Sequence, residues 1–182
     1  MVGNSGSGKS RLAAEIAALI RVPYIELDAI HHLPGWQPIE PPTFTATVDG
    51  IAGTDGWVID GNYWTVVMDG PVWRRADTVV WLDPPRRTVM RQLLTRTVGR
   101  LARRQELWNG NRESWRNLYA WDPERSIIRW AWTQHAKYQQ RYGAAINAPA
   151  FSNIVFVHLR SHDAAASWLR QLRRAEASGN GA

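Results

Sequence analysis

Residues 1–10 read MVGNSGSGKS, and residues 3–10 match the pattern G-x-x-x-x-G-K-[ST] at every fixed position. Glycines at these places let the backbone adopt φ > 0 and approach phosphate oxygens closely. Successive N–H groups then form an anion nest, completed by the N-terminus of the following helix. The residues expected to hold a nucleotide are Gly3, Asn4, Ser5, Gly6, Ser7, Gly8, Lys9 and Ser10, with Arg11 at the exit of the loop. Lys9 is expected to reach the β- and γ-phosphates of ATP and Ser10 to ligate Mg²⁺. The required helix follows at once, because RLAAEIAALI carries Leu12, Ile16, Leu19 and Ile20 at helical spacing. What precedes the loop is short. Only Met1 and Val2 stand where a buried strand should present it, so the reading is of a truncated first strand and a natural reading frame that begins a few residues upstream.

The composition is consistent with a nucleotide site. The formal charge of +6 and a pI near 10.3 call for anionic partners. Only two of the 22 basic residues are lysines, Lys9 and Lys137, so a lysine inside the glycine-rich stretch has a task that Arg's planar fork does badly. A point charge reaching into bound phosphates is such a task. With no cysteine, disulfides, Cys-ligated zinc and thiol nucleophiles are excluded. No run of apolar residues is long enough to span a bilayer, and no basic-then-apolar leader is visible, so a cytoplasmic protein with no membrane partner is expected.

Further along, strands and helices alternate. Strands are expected at 24–27, 57–59, 78–82 and 153–159, and helices at 86–103, about 126–142 and in HDAAASWLRQLRR, with a weak helix in TFTATVDGIAG. The stretch AIHHLPGWQPIEPP is too rich in Pro and Gly for an element and reads as a loop. One domain over 1–174 is expected, then a disordered tail over 175–182. Alternating elements imply a parallel sheet covered on both faces, with ligands at the carboxyl ends of the strands. Asp28, Asp60 and Asp83 all fall at that edge; Asp83, before two prolines, reads as a turn former.

The order of these pieces resembles the adenylate-kinase-related branch of the P-loop kinases, and within it the small bacterial group labelled "DNA topology modulation protein" or "adenylate kinase and related kinases". GNSGSGKS, VPYIELDAIHHLPGWQP, WVIDGNY, WRRADTVVWLDPP and NIVFVHLRSHDAAASWL carry the likeness, which covers nearly the whole chain. It implies a P-loop NTPase fold, three layers α/β/α around a parallel sheet as in nucleoside and shikimate kinases. The loop-bearing strand would lie between the strands at 57–59 and 78–82. By the same likeness Asp60 stands where adenylate kinases hold the waters around Mg²⁺. Asp28 departs from them and is similar to the aspartate that shikimate and gluconate kinases turn toward the acceptor hydroxyl. The Arg-rich segment from about 103 to 125 sits where these kinases have a lid, and Arg96 and Arg100 are the arginines expected at the γ-phosphate.

The implied activity is transfer of the γ-phosphoryl of ATP, with Mg²⁺, to a small acceptor: a nucleoside monophosphate, a nucleoside or a metabolite hydroxyl. The alternatives are a nucleic-acid-binding protein that affects DNA topology and a nucleotide-dependent switch. The arginines are spread over several segments rather than gathered in one tail or recognition helix, which weighs against the first. His31 and His32 beside one carboxylate are a poor zinc template, so they line the acceptor pocket or the surface. Trp36 and Trp64 either stack on a substrate ring or pack in the protein.

Overall fold

The computed structural model describes residues 1–114 and 127–179. Strand β1 is Val2–Gly3, which pairs in parallel with β6, Thr78–Leu82, placing Val2 opposite Trp81. On its far side β6 pairs along its whole length with β7, Val155–Leu159. A second parallel pair joins β2, Tyr24–Glu26, to β5, Val58–Asp60. The two sets meet at Met1, whose nitrogen donates to the Ile59 carbonyl at 2.7 Å and whose carbonyl accepts from the Gly61 N–H at 3.3 Å. The strands therefore lie side by side as β2-β5-β1-β6-β7, with β1 between β5 and β6, where the sequence reading put it.

Helices cover both faces. Alternation along β6 sends Val80 and Leu82 to one side, where they pack with Leu12 and Ile16 of α1, Lys9–Ile20, and with Ala165 and Leu169 of the last helix. Val79 and Trp81 face the other side, toward Phe44 and Val48 of α3, Pro41–Ala52, and Val72 and Trp73 of α4, Pro71–Arg75. Tyr138 and Tyr142 of α6, Ile127–Ile146, complete that layer. Helix α5, Arg86–Ala102, buries Val89, Leu93, Thr97 and Leu101, one residue per turn. The chain is thus α/β, with a parallel sheet between two helical layers.

Two expectations outside the sheet need correction, and a third falls partly outside the described residues. The stretch read as a loop after β2 holds a short helix α2, Leu27–His31, and an antiparallel hairpin of β3, His32–Leu33, and β4, Gln37–Pro38, around a turn at Pro34–Trp36. Its prolines and glycine sit where they are tolerated. Pro34 opens the turn, Gly35 takes φ 73°, Pro38 ends a strand that pairs on one side, and Pro41 and Pro42 open α3. At the other end α7 runs His162–Gly179, so residues 175–179 of the expected tail are helical, as RRAEAS with its Ala, Arg and Glu permits, while 180–182 lie outside the described residues. Of the expected lid, residues 103–114 form an irregular strap with one turn at Trp108–Gly110 and a bridge between Glu106 and Arg112. The rest, with Arg116 and Arg125, lies outside the described residues. No helix among the described residues is long and apolar enough to cross a membrane.

Candidate active site

The glycine stretch leaves β1 and turns tightly into α1, with the Ser7 N–H bonded to the Asn4 carbonyl at 3.0 Å. Gly6 and Gly8 hold φ of 85° and 94°, the left-handed region that side chains avoid. At Gly6 a Cβ would also come within 2.8 Å of the Val89 carbonyl. The loop is tied down from both sides: the Asn4 side-chain amide donates to the Ala131 carbonyl at 2.8 Å, and Nε2 of His162 lies 2.8 Å from the Ser7 carbonyl, to which it donates. Its entrance is held by Asn62, whose Nδ2 donates to the Gly3 carbonyl at 2.8 Å while its Oδ1 accepts from the Gly3 N–H at 3.1 Å and the Tyr142 hydroxyl at 2.9 Å. Asn62 thus takes the place of a strand residue beside β1.

Lys9 opens α1 and stands over Asp60, the last residue of β5. Their Nζ and Oδ1 are 3.7 Å apart, with Asp60 only 1% exposed. That Oδ1 accepts no hydrogen bond, and the other oxygen is 3.4 Å from the Tyr24 hydroxyl. The pair is close enough to attract and too far apart to bond directly. Ser10 and Ser5 line the same cleft, and Ser7 is fully buried beneath it. Arg11 reaches only the rim, nearly all exposed and paired with Glu15.

The cleft has a volume of about 840 Å³ and runs from the glycine loop to the end of β2. Asp28 lies in the first turn of α2, and its Oδ1 accepts from the Tyr63 hydroxyl at 2.6 Å. Burial and the Asp28 charge both push the Tyr63 hydroxyl pKa up, so it stays a donor. Beside it Glu26 accepts from the Trp108 indole N–H at 2.9 Å; burial pushes its carboxyl pKa up, against the pull of that bond. Arg96 and Arg100 enter from successive turns of α5. Arg100 is held by Glu113 at 3.0 Å, whereas Arg96 has no hydrogen-bond or ion-pair partner among the described residues, and its Nε is buried. Burial, then the Arg100 charge, lowers the Arg96 pKa. A desolvated guanidinium beside a cleft, with no hydrogen-bond partner at its Nε among the described residues, is a place for an anion.

The remaining aromatics divide. Trp36 lines the cleft and packs edge-on against His32 and Trp108, while Trp64, also at the cleft, is pressed against Tyr138 and Tyr142 with the Arg141 guanidinium over its ring. His31 packs on Phe44 and Tyr63. Asp83 turns away from the cleft and accepts from Gln139 and pairs with His158 at 3.2 Å. Among the described residues no three His, Asp or Glu side chains are grouped to hold a metal ion.

No protein-family model, curated protein or solved structure matches the chain. The geometry brings Lys9, Ser10, Asp28, Arg96 and Arg100 to one cleft, buries Asp60 beside Lys9, and leaves Arg11 at the cleft's edge. It adds Asn62, Tyr63, Glu26, Trp108 and His162, which the sequence reading did not single out. Asn62 and Tyr63 follow Asp60-Gly61 directly, so their place at the strand end was a readable signal; the others act across more than 80 residues.

Proposed function

We propose that the protein is a P-loop kinase that moves the γ-phosphoryl of ATP to a hydroxyl of a small acceptor. One observation carries the reading: a single cleft holds the glycine loop with Lys9 above buried Asp60 at one end and the Asp28 carboxylate at the other. The likeness of its motifs to the adenylate-kinase-related kinases supports the same assignment. Backbone N–H groups of residues 5–10 and the start of α1 receive the phosphates, and Lys9 moves from Asp60 onto them. Ser10 and Asp60 are the residues that would hold Mg²⁺, and the Oδ1 of Asp60, buried without a hydrogen bond, fits a group that needs an acceptor for its bound waters. The ion supplies charge neutralisation on the phosphates. Asp28 orients the acceptor hydroxyl and takes its proton, and Arg96 and Arg100 balance charge on the transferred group.

Titration of Mg·ATP into the protein and into Lys9→Ala tests this. Lysine-to-phosphate bonds are charge-assisted and contribute about 1.5–3 kcal/mol, so the variant should bind roughly 10- to 150-fold more weakly. Equal affinity in both, with both folded by circular dichroism, refutes the reading.

A further inference from the structure

Glu113 lines the cleft from the strap that follows α5, and its side chain is only 7% exposed. Its Oε1 accepts from Arg100 at 3.0 Å, and its Oε2 is buried with no hydrogen-bond partner among the described residues. A carboxylate and a terminal phosphate present the same kind of oxygen to a guanidinium, so one arginine fork can hold either. Arg96, one turn before Arg100 on α5, feels the same carboxylate. Burial and the Arg100 charge disfavour its cation, and Glu113, ahead of Asp28 and Glu26, favours it. Glu113 therefore bears on both guanidiniums that the kinase reading assigns to the γ-phosphate. The backbone that carries it is fixed. Asn111 accepts from the Trp36 N–H at 2.9 Å and donates to the Leu33 carbonyl at 3.0 Å, while the Trp36 indole donates to the Arg112 carbonyl at 3.1 Å. These bonds hold residues 111–112 against the hairpin and present the next side chain to α5.

A γ-phosphate that arrives at Arg96 and Arg100 meets this carboxylate as a like charge competing for the same donors. Repulsion between two anions in a largely buried corner is weakly screened, so one of them has to give way. A nucleoside diphosphate ends one phosphoryl group short of that place. Resting on the kinase reading above, we propose that Glu113 occupies the seat of the γ-phosphate in the nucleotide-free protein and so sets the balance between nucleoside triphosphate and diphosphate. The terminal phosphate of a triphosphate displaces it from Arg100, whereas a diphosphate leaves the Arg100–Glu113 pair intact. The carboxylate keeps two clustered arginines compensated while the cleft is empty, and it weakens the hold on the triphosphate alone. Glu113 is on this account a specificity-determining residue of the donor site, supplied by the strap and held in register by the hairpin.

The test is calorimetric titration of two magnesium complexes, those of ADP and of AMP-PNP, whose bridging nitrogen resists transfer, into the wild type, Glu113→Gln and Glu113→Asp. Glu113→Gln keeps an oxygen for Arg100 and removes the charge. It should bind Mg·AMP-PNP about tenfold or more tightly than the wild type and Mg·ADP within about twofold of it. Glu113→Asp, whose carboxylate is drawn back by one methylene, should fall between the two for Mg·AMP-PNP. Circular dichroism checks that each variant is folded, and if Glu113→Gln is not, Glu113→Asp carries the same comparison. Unchanged or weaker Mg·AMP-PNP binding overturns the proposal, since Glu113 would then orient Arg100 rather than stand in the way of the phosphate. Equal tightening of both nucleotides overturns it as well, because the effect would be one of net charge. The two readings fail separately. A wild type that binds Mg·AMP-PNP and loses it in Lys9→Ala keeps its donor site whatever Glu113 does; a wild type that binds neither nucleotide removes the kinase reading and this inference with it.

Discussion

Replacing Asn62 should damage the protein more than any other single change at the cleft, because its amide does the work of a strand. It bonds both the N–H and the C=O of Gly3 and accepts from the Tyr142 hydroxyl, which belongs to a residue 1% exposed. Asn62→Ala removes all three bonds at once. Each stranded group costs about 1–3 kcal/mol when buried, and the Gly3 groups, next to the cleft, fall toward the lower end because water can reach them. The sum is about 3–5 kcal/mol, a large part of the 5–15 kcal/mol typical of a domain. Asn62→Asp is the sharper probe. The carboxylate can still accept from the Gly3 N–H and Tyr142, but its second oxygen now faces the Gly3 carbonyl, so one bond becomes a repulsion. Urea unfolding should place Asn62→Asp between the wild type and Asn62→Ala. A Tyr142→Phe change should cost about 0.5–1.5 kcal/mol in the wild type and close to nothing in the Asn62→Ala background. An Asn62→Asp protein as stable as the wild type, or additive effects of the Asn62 and Tyr142 changes, would refute this account.

Asp28→Asn should lower kcat by about 10²–10⁴ with little change in Mg·ATP affinity, while Asp60→Asn should weaken the response to Mg²⁺ with any acceptor; wild-type kcat in both variants excludes either carboxylate from the chemistry. Gly6→Ala should lose about 2–4 kcal/mol, since it adds left-handed strain to a clash with the Val89 carbonyl, whereas Gly50→Ala, helical and facing open space, should gain about 0.5–1 kcal/mol; similar melting temperatures for the two variants contradict the assigned loop geometry. Burial holds the pKa of His31 and His32 below the ordinary histidine value of about 6.5 in the folded state, so the unfolded chain binds more protons as pH falls through that value. Stability from these rings is full above that pH and drains away below it, and a His31→Gln, His32→Gln double variant should show a shallower fall in melting temperature from pH 7 to 5.5; an unchanged slope places the acid sensitivity elsewhere.

The sheet and the loop were readable because their signals are local. The glycine pattern of residues 3–10 needs no partner to be recognised, and an apolar run such as TVVWL at 78–82 declares a buried strand by itself, with the boundaries found in the structure. Asp28 and Asp60 were readable as strand-end carboxylates, and Asp28 proves to sit in a helical turn that follows the strand directly. The hairpin at His32–Pro38 was not, since two-residue strands have no periodicity, and their stability comes from Asn109 and Asn111 capping the carbonyls of His32 and Leu33 from about 78 residues away. Glu26 and Trp108 failed to stand out for the same reason: each is ordinary in its own segment and becomes informative only when the fold brings them to 2.9 Å. Which arginines line the cleft depends on the fold, and sequence spacing alone treats Arg96, which does, and the exposed Arg103 alike.

The anchoring of the glycine loop bears on how the protein comes to be made. Residues 4–7 are held by the carbonyl of Ala131 and the imidazole of His162, contacts that span 127 and 155 residues of chain. Closing loops of that length is slow, and during synthesis these partners emerge more than a hundred residues after the loop they hold. A ribosome-bound chain that stops before α7 can form the β1–β6 pairing and yet lacks the clamp on Ser7. On the proposed kinase reading, nucleotide affinity switches on only once α7 has been made, and retention on an immobilised ATP analogue would separate chains that carry this helix from chains that stop before it in a translation mixture.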